Sequence, residues 1–114
     1  MTSNADPDRT LHDLMLEIRA FAQARDWERF HTPKNLAMAI AGEAGELAAE
    51  YQWLTEAESL ETADPSDPRR AAIESEMADV LIYLVRLADI TGISLLSAAT
   101  QKLAHNASRF PPNS

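Results

Sequence analysis

Glu43 with Glu46, and Glu76 with Asp79, are acidic pairs spaced three residues apart, and each pair is embedded in an apolar helical stripe. At about 100° per residue, with Glu43 at zero, Glu46 lies near 300° and Glu50 near 340°, while Leu36, Ala39, Leu47 and Leu54 point within roughly 40° of the same direction. The second pair repeats the pattern: with Glu76 at zero, Asp79 falls near 300° and Val80, Tyr83 and Leu87 share its arc by about the same spacing. Amphipathic helices ordinarily keep carboxylates away from the face that packs. Two such helices facing one another would gather four anions. Like charges at i,i+3 weaken a helix by about 0.2–0.5 kcal/mol, and an unpaired buried carboxylate costs several kcal/mol more. A positive group must therefore be present, either a Lys or Arg side chain or a divalent metal. Neither arc holds a basic residue, and Arg86 falls only at the edge beside Asp79, so a hard cation is favoured. All-oxygen carboxylate ligation suits Mg²⁺, with Mn²⁺ as a substitute. His31 or His105 is a candidate extra ligand, but no Glu-x-x-His pair points to a di-iron bundle. Glu50 shares the arc, and its role stays open between supporting the metal shell and ending at solvent.

The elements that position these residues are helical. The chain has 114 residues, 46% of them hydrophobic, and only three glycines. That length suits one domain spanning 1–114, and the abundance of Ala, Leu, Glu and Arg favours an all-α fold. Thr10 and Asp13 form an acidic capping box that opens a first helix reaching about Arg25, with Leu11, Leu14, Ile18, Phe21 and Ala22 as its buried stripe and Asp13, Glu17 and Arg19 at solvent. The segment DWERFH, residues 26–31, breaks the period and places aromatics and a histidine in a connection. Thr32 and Pro33 start a second helix that reaches about Leu54. Residues 55–67 read as an exposed connector. Asp67 and Pro68 open a third helix running to Thr91, where Gly92 stops it. Ser94 caps a fourth helix to about Ser108. Residues 1–9 and 111–114 are expected to be flexible.

The third helix is apolar on nearly every side from Met77 to Ile90. Four helices of this length enclose only a thin core, so the pattern predicts a four-helix bundle protomer in an obligate homo-oligomer, a dimer or tetramer with a largely helical shared core. The formal net charge is −8 and there is no cysteine. The charge opposes binding to a nucleic-acid polymer, and the lack of a basic cluster agrees. An acidic protein still binds a small phosphorylated anion when a divalent cation bridges them. The lack of thiols fits a reducing compartment, and the N-terminal residues carry no apolar run for a signal peptide or membrane anchor. A cytoplasmic location without membrane attachment is expected.

Glu43-Ala-Gly-Glu46, a connector, then Glu76-Met-Ala-Asp79 resembles the ExxE…ExxD signature of the MazG-like all-α nucleoside triphosphate pyrophosphohydrolases. Residues 24–53 and 76–88 resemble the dCTP pyrophosphatase branch in particular, and the likeness runs from about residue 11 to Pro111. The resemblance implies hydrolysis of the α,β bond of a deoxynucleoside triphosphate to monophosphate and pyrophosphate, by a dimer of dimers or a similar oligomer. Glu43, Glu46, Glu76 and Asp79 match the family's metal positions. Trp27 and Trp53 match aromatics that hold the base, and Tyr83 a tyrosine that contacts the nucleotide. His31, Lys102 and Asn106 also match substrate-binding positions. Two features depart from the pattern: the connector is at the long end of the family's range, and Glu50 lies outside the signature.

The residues agree with such chemistry on independent grounds. A triphosphate needs Mg²⁺ to neutralise its oxygens, orient the α-phosphorus and acidify an attacking water. Glu43 or Glu46 is the candidate to accept that water's proton, and the sequence leaves open which. Lys102 and Arg109 either stabilise the leaving pyrophosphate or are solvated cations near a helix end. The indoles of Trp27 and Trp53 either fill the core or offer a face for base stacking, worth roughly 1–3 kcal/mol. Tyr83, one turn beyond Asp79, is placed to crowd a ribose 2′-hydroxyl. The reading is a Mg²⁺-dependent pyrophosphohydrolase of dCTP or a related, modified deoxynucleotide, serving nucleotide pool cleansing. Its alternatives are a broad-specificity noncanonical nucleotide pyrophosphatase and a non-catalytic helical assembly module.

Overall fold

The computed structural model describes residues 9–113, all of them in helices, turns and irregular segments. Among these residues the elements are α1 (Leu11–Ala24), a 3₁₀ turn (Glu28–Phe30), α2 (Pro33–Tyr51), α3 (Glu56–Glu61), α4 (Arg70–Thr91) and α5 (Leu95–Arg109). The fold is all-α, as composition predicts. Expected flexibility at 1–8 and at Ser114 lies outside the described residues, while Pro111, Pro112 and Asn113 carry no regular structure.

Helix starts follow the capping chemistry. Thr10 Oγ1 accepts from the Asp13 backbone N–H at 3.1 Å while Asp13 accepts from the Thr10 N–H at 3.0 Å, so two of the orphan donors at the terminus are satisfied reciprocally. Thr32 Oγ1 accepts from the Asn35 N–H, with Pro33 in the first turn. α1 ends in a Schellman turn in which Trp27 N–H donates to Ala22 O and Asp26 N–H to Gln23 O. Asp26 occupies the left-handed position at φ 56°, a conformation that Asp tolerates better than most residues. Gly92, at φ 70°, closes α4 the same way.

Three expectations need correction. The connector at 55–67 contains α3, opened by a second capping box between Thr55 and Glu58. It is stitched down as well: Thr62 is buried, its Oγ1 donates to Ser59 O and lies 3.2 Å from Tyr51 Oη, and Arg70 donates to the Thr62 and Ala63 carbonyls. Second, α2 stops at Tyr51 rather than Leu54, and α4 begins at Arg70 rather than Pro68. Asp67 does accept from a backbone N–H, that of Arg69, but it closes a turn before the helix proper. Third, Arg19 is no free solvent cation, because it grips Asp89 of α4 with two hydrogen bonds of 3.0 and 2.6 Å.

α2 packs along α4, and α1 packs against α4 as well. The two are antiparallel, since His31 just before α2 meets Arg86 late in α4 while Glu43 meets Glu76 early in it. Leu36, Ile73, Val85, Ala22 and Ala88 form the buried core, and a fully buried Leu contributes roughly 1.5–3 kcal/mol. That core is thin. α5 leaves α4 at a bend of 102° and has no buried residue, so the four long helices do not close on one another within one protomer. Met77, Leu81 and Ile82 of α4 and Leu96 and Leu103 of α5 are all exposed.

Candidate active site

α2 and α4 supply the site because each carries its acidic pair on the side that packs against the other. Glu43, Glu76 and Asp79 each offer a carboxylate oxygen, and the three oxygens lie within 4.8 Å of one another. All three residues are half-buried. Glu46, one turn along α2, is exposed and outside this triplet, while Glu50 is half-buried. Burial pushes the Glu76 carboxyl above the ordinary Glu range, and the charges of Glu43, Asp79, Glu46 and Glu50 push it further. All five acidic groups therefore share one field. Among the described residues no Lys or Arg forms an ion pair with any of them.

Arg86, placed by helical arithmetic beside Asp79, turns away from it. Its buried guanidinium donates from Nε to His31 Nδ1 at 3.1 Å and from Nη1 to Asp89 at 3.0 Å, with Glu28 3.8 Å from Nη2. The carboxylate cluster thus has no internal counter-cation. The donor set is hard oxygen, and one ion with metal–oxygen distances of about 2.0–2.6 Å can be reached by all three side chains. The residues fit a divalent metal.

The remaining candidates lie outside this triplet. Trp27 packs edge-on to Phe21 at 5.6 Å and to His31 at 6.3 Å, and its ring is partly open to solvent. Tyr83 is half-buried one turn beyond Asp79. Trp53, just past the end of α2, is 86% exposed, which removes core filling as its role within the protomer. Lys102 and His105 are exposed on α5 and Asn106 half-buried there, and no hydrogen bond joins Lys102 or Asn106 to the carboxylates among the described residues. His31 is committed to Arg86 rather than to the acidic triplet. The sequence reading missed the Arg19–Asp89–Arg86–His31 chain. Its signal was Arg86 and Asp89 three residues apart inside an otherwise apolar run.

Fold and site together define a class: an all-α protein with a metal-competent carboxylate centre between two antiparallel helices. Residues 31–112 match the MazG nucleotide pyrophosphohydrolase domain, and the chain belongs to that family. It is 44% identical over 105 residues to dCTP pyrophosphatase 1 of Mus musculus, covering 92% of this chain and 61% of that protein. The Homo sapiens dCTP pyrophosphatase 1 is likewise 44% identical, over 106 residues, with the same two coverages of 92% and 61%. The chain therefore spans less than two thirds of these relatives' length. A crystal structure of a pyrophosphatase from Archaeoglobus fulgidus superposes with a TM-score of 0.82 at 32% identity, covering 96% of this chain and 100% of that one.

Proposed function

We propose that this protein is a Mg²⁺-dependent pyrophosphohydrolase that converts dCTP, or a related modified deoxynucleoside triphosphate, to the monophosphate and pyrophosphate in the cytoplasmic nucleotide pool. The observation that carries the reading is the convergence of Glu43, Glu76 and Asp79 with no cation of the protein's own beside them. The similarity to dCTP pyrophosphatase 1 over most of the chain supports the substrate.

Glu43, Glu76 and Asp79 would hold the metal, and Glu46, one turn along α2, adds its charge to the same field. When bound, Mg²⁺ would neutralise phosphate oxygens and acidify a water for in-line attack on the α-phosphorus. The carboxylates of Glu43 and Glu46 are the groups that would orient that water and accept its proton. Trp27 would offer a ring face to the base and Tyr83 would stand beside the sugar, whereas Trp53 lies beyond the opposite end of the 19-residue α2, roughly 28 Å along its axis, and would reach that base only from a second subunit. Lys102 and Asn106 lie on α5, which extends away from its own α4, so they would reach a pocket of a second subunit in a dimer or tetramer. The exposed apolar side chains of α4 and α5 support that assembly.

Pyrophosphate release from dCTP, measured with and without Mg²⁺ and repeated with Glu76→Gln, tests the proposal. Metal-dependent release abolished by the substitution supports it, and no release from any deoxynucleotide refutes it. Rate constants across a triphosphate panel separate dCTP preference from broad specificity.

A further inference from the structure

Arg86 lies seven residues beyond Asp79 on α4, which returns it to nearly the same azimuth roughly 10 Å along the axis, comparable with the reach of a nucleotide from α-phosphate to base. There it meets His31, whose ring packs against Trp27 at 6.3 Å with the planes inclined by 62°. A guanidinium has donors and no acceptor. The 3.1 Å contact from Arg86 Nε to His31 Nδ1 therefore requires that nitrogen to be unprotonated, and the ring proton sits on Nε2. Among the described residues Nε2 has no hydrogen-bond partner.

The guanidinium cannot swing away freely. Its side chain is 3% exposed and pairs with Asp89, which Arg19 grips from α1 through two hydrogen bonds. This chain of contacts ties α1, α4 and the start of α2 to one imidazole orientation. With both Arg86 and Asp89 nearly buried, this network holds its geometry more firmly than an exposed ion pair does.

We propose that Arg86 is a positioning residue that locks His31 in its neutral Nε2–H tautomer, so that the ring presents one fixed hydrogen-bond donor to a base or sugar acceptor of the nucleotide beside Trp27. This rests on the proposed function and on the match of His31 to a substrate-binding position of the family the chain resembles. Burial and the Arg86 charge both hold the His31 pKa below its ordinary value, which keeps the ring neutral near pH 7.

Two-bond ¹H–¹⁵N correlation spectra of the full chain at pH 7, with the His31 signals assigned by their loss in His31→Gln, read the tautomer directly. Protonated Nε2 with bare Nδ1 is expected, and a protonated Nδ1 overturns the proposal whatever the enzyme acts on. Arg86→Lys keeps a cation for Asp89 but loses the directed Nε–H, and should mix the tautomers. It should also raise KM for dCTP roughly three- to tenfold, the scale of one hydrogen bond, with kcat within about twofold. His31→Gln should show a similar loss, and the double variant little more. Unchanged KM in Arg86→Lys, or additive losses in the double variant, overturns the proposal. If His31→Gln binds dCTP as wild type while Mg²⁺-dependent turnover persists, the inference falls and the carboxylate reading stands. If no triphosphate is turned over at all, both fall.

Discussion

Glu43 on α2 and Glu76 on α4 face each other across the helix pair with carboxylate oxygens inside the same 4.8 Å cluster as Asp79. Burial, and then repulsion from Glu43 and Asp79, make ionised Glu76 unfavourable until a cation arrives, which is why its pKa is raised. Its ionised form therefore opposes folding at neutral pH, and protonation or metal relieves the strain. Mg²⁺ or Mn²⁺ should raise Tm, with stabilisation of about 2.7 kcal/mol once the ion is at a hundred times its Kd. Glu76→Gln should raise the metal-free Tm yet abolish the metal-induced gain. Differential scanning fluorimetry with and without metal checks both. A proton competes for Glu76 above the ordinary Glu range, so metal affinity should weaken as pH falls toward that raised pKa.

Glu46 should separate from the triplet in binding experiments, because it is exposed and lies outside the cluster of converging oxygens. Glu43→Gln, Glu76→Gln and Asp79→Asn should each weaken metal binding at least roughly 10–100-fold, the range seen even for outer-shell partners. Glu46→Gln should weaken it less and lower kcat more. Calorimetric titration with Mn²⁺ beside steady-state kinetics distinguishes the two effects.

The turn before α4 carries a pH-dependent clasp. Arg69 donates to both Asp67 oxygens and to Glu61, and the Arg69 hydrogen bonds pull the Asp67 pKa from 3.8 down to about 2. A depressed carboxylate pKa stabilises the fold above the unfolded value, and that contribution disappears as pH falls from about 4 to about 2. Asp67→Asn should therefore lower Tm at pH 7, and the difference from wild type should shrink across that acid window. Thermal melts at several pH values check the sign.

Much of this architecture is legible in the letters because it is local. Thr10, Thr32, Ser94 and Gly92 announce helix ends through side-chain caps and a left-handed stop. The acidic pairs are legible because an i,i+3 spacing inside an apolar stripe contradicts ordinary amphipathicity. Thr55 and Glu58 carried the same capping signal for α3, but the acidic, Pro-containing surroundings masked it. Contacts between distant segments left no periodic trace. Arg19 to Asp89 spans seventy residues, and Arg86 to His31 spans fifty-five, so helical angles alone put Arg86 beside the wrong partner. The 102° departure of α5 is likewise a tertiary choice that its own amphipathic pattern does not encode.

That departure leads to the last prediction. Leu96 and Leu103 are 68% and 70% exposed on α5, and Met77 is 56% exposed on α4, and large apolar side chains left at the surface mark contact sites when they adjoin one another. Burial of each large side chain at an interface contributes roughly 1.5–3 kcal/mol, so a few such residues decide whether subunits associate at micromolar concentration. Light scattering coupled to size exclusion should give a dimer or tetramer for the full chain. Leu103→Glu, which sets a charge into the proposed contact, should shift the mass toward monomer and lower turnover together, since Lys102 and Asn106 would then lose their neighbour's pocket. A monomeric wild type with full activity would show that each protomer completes its site alone.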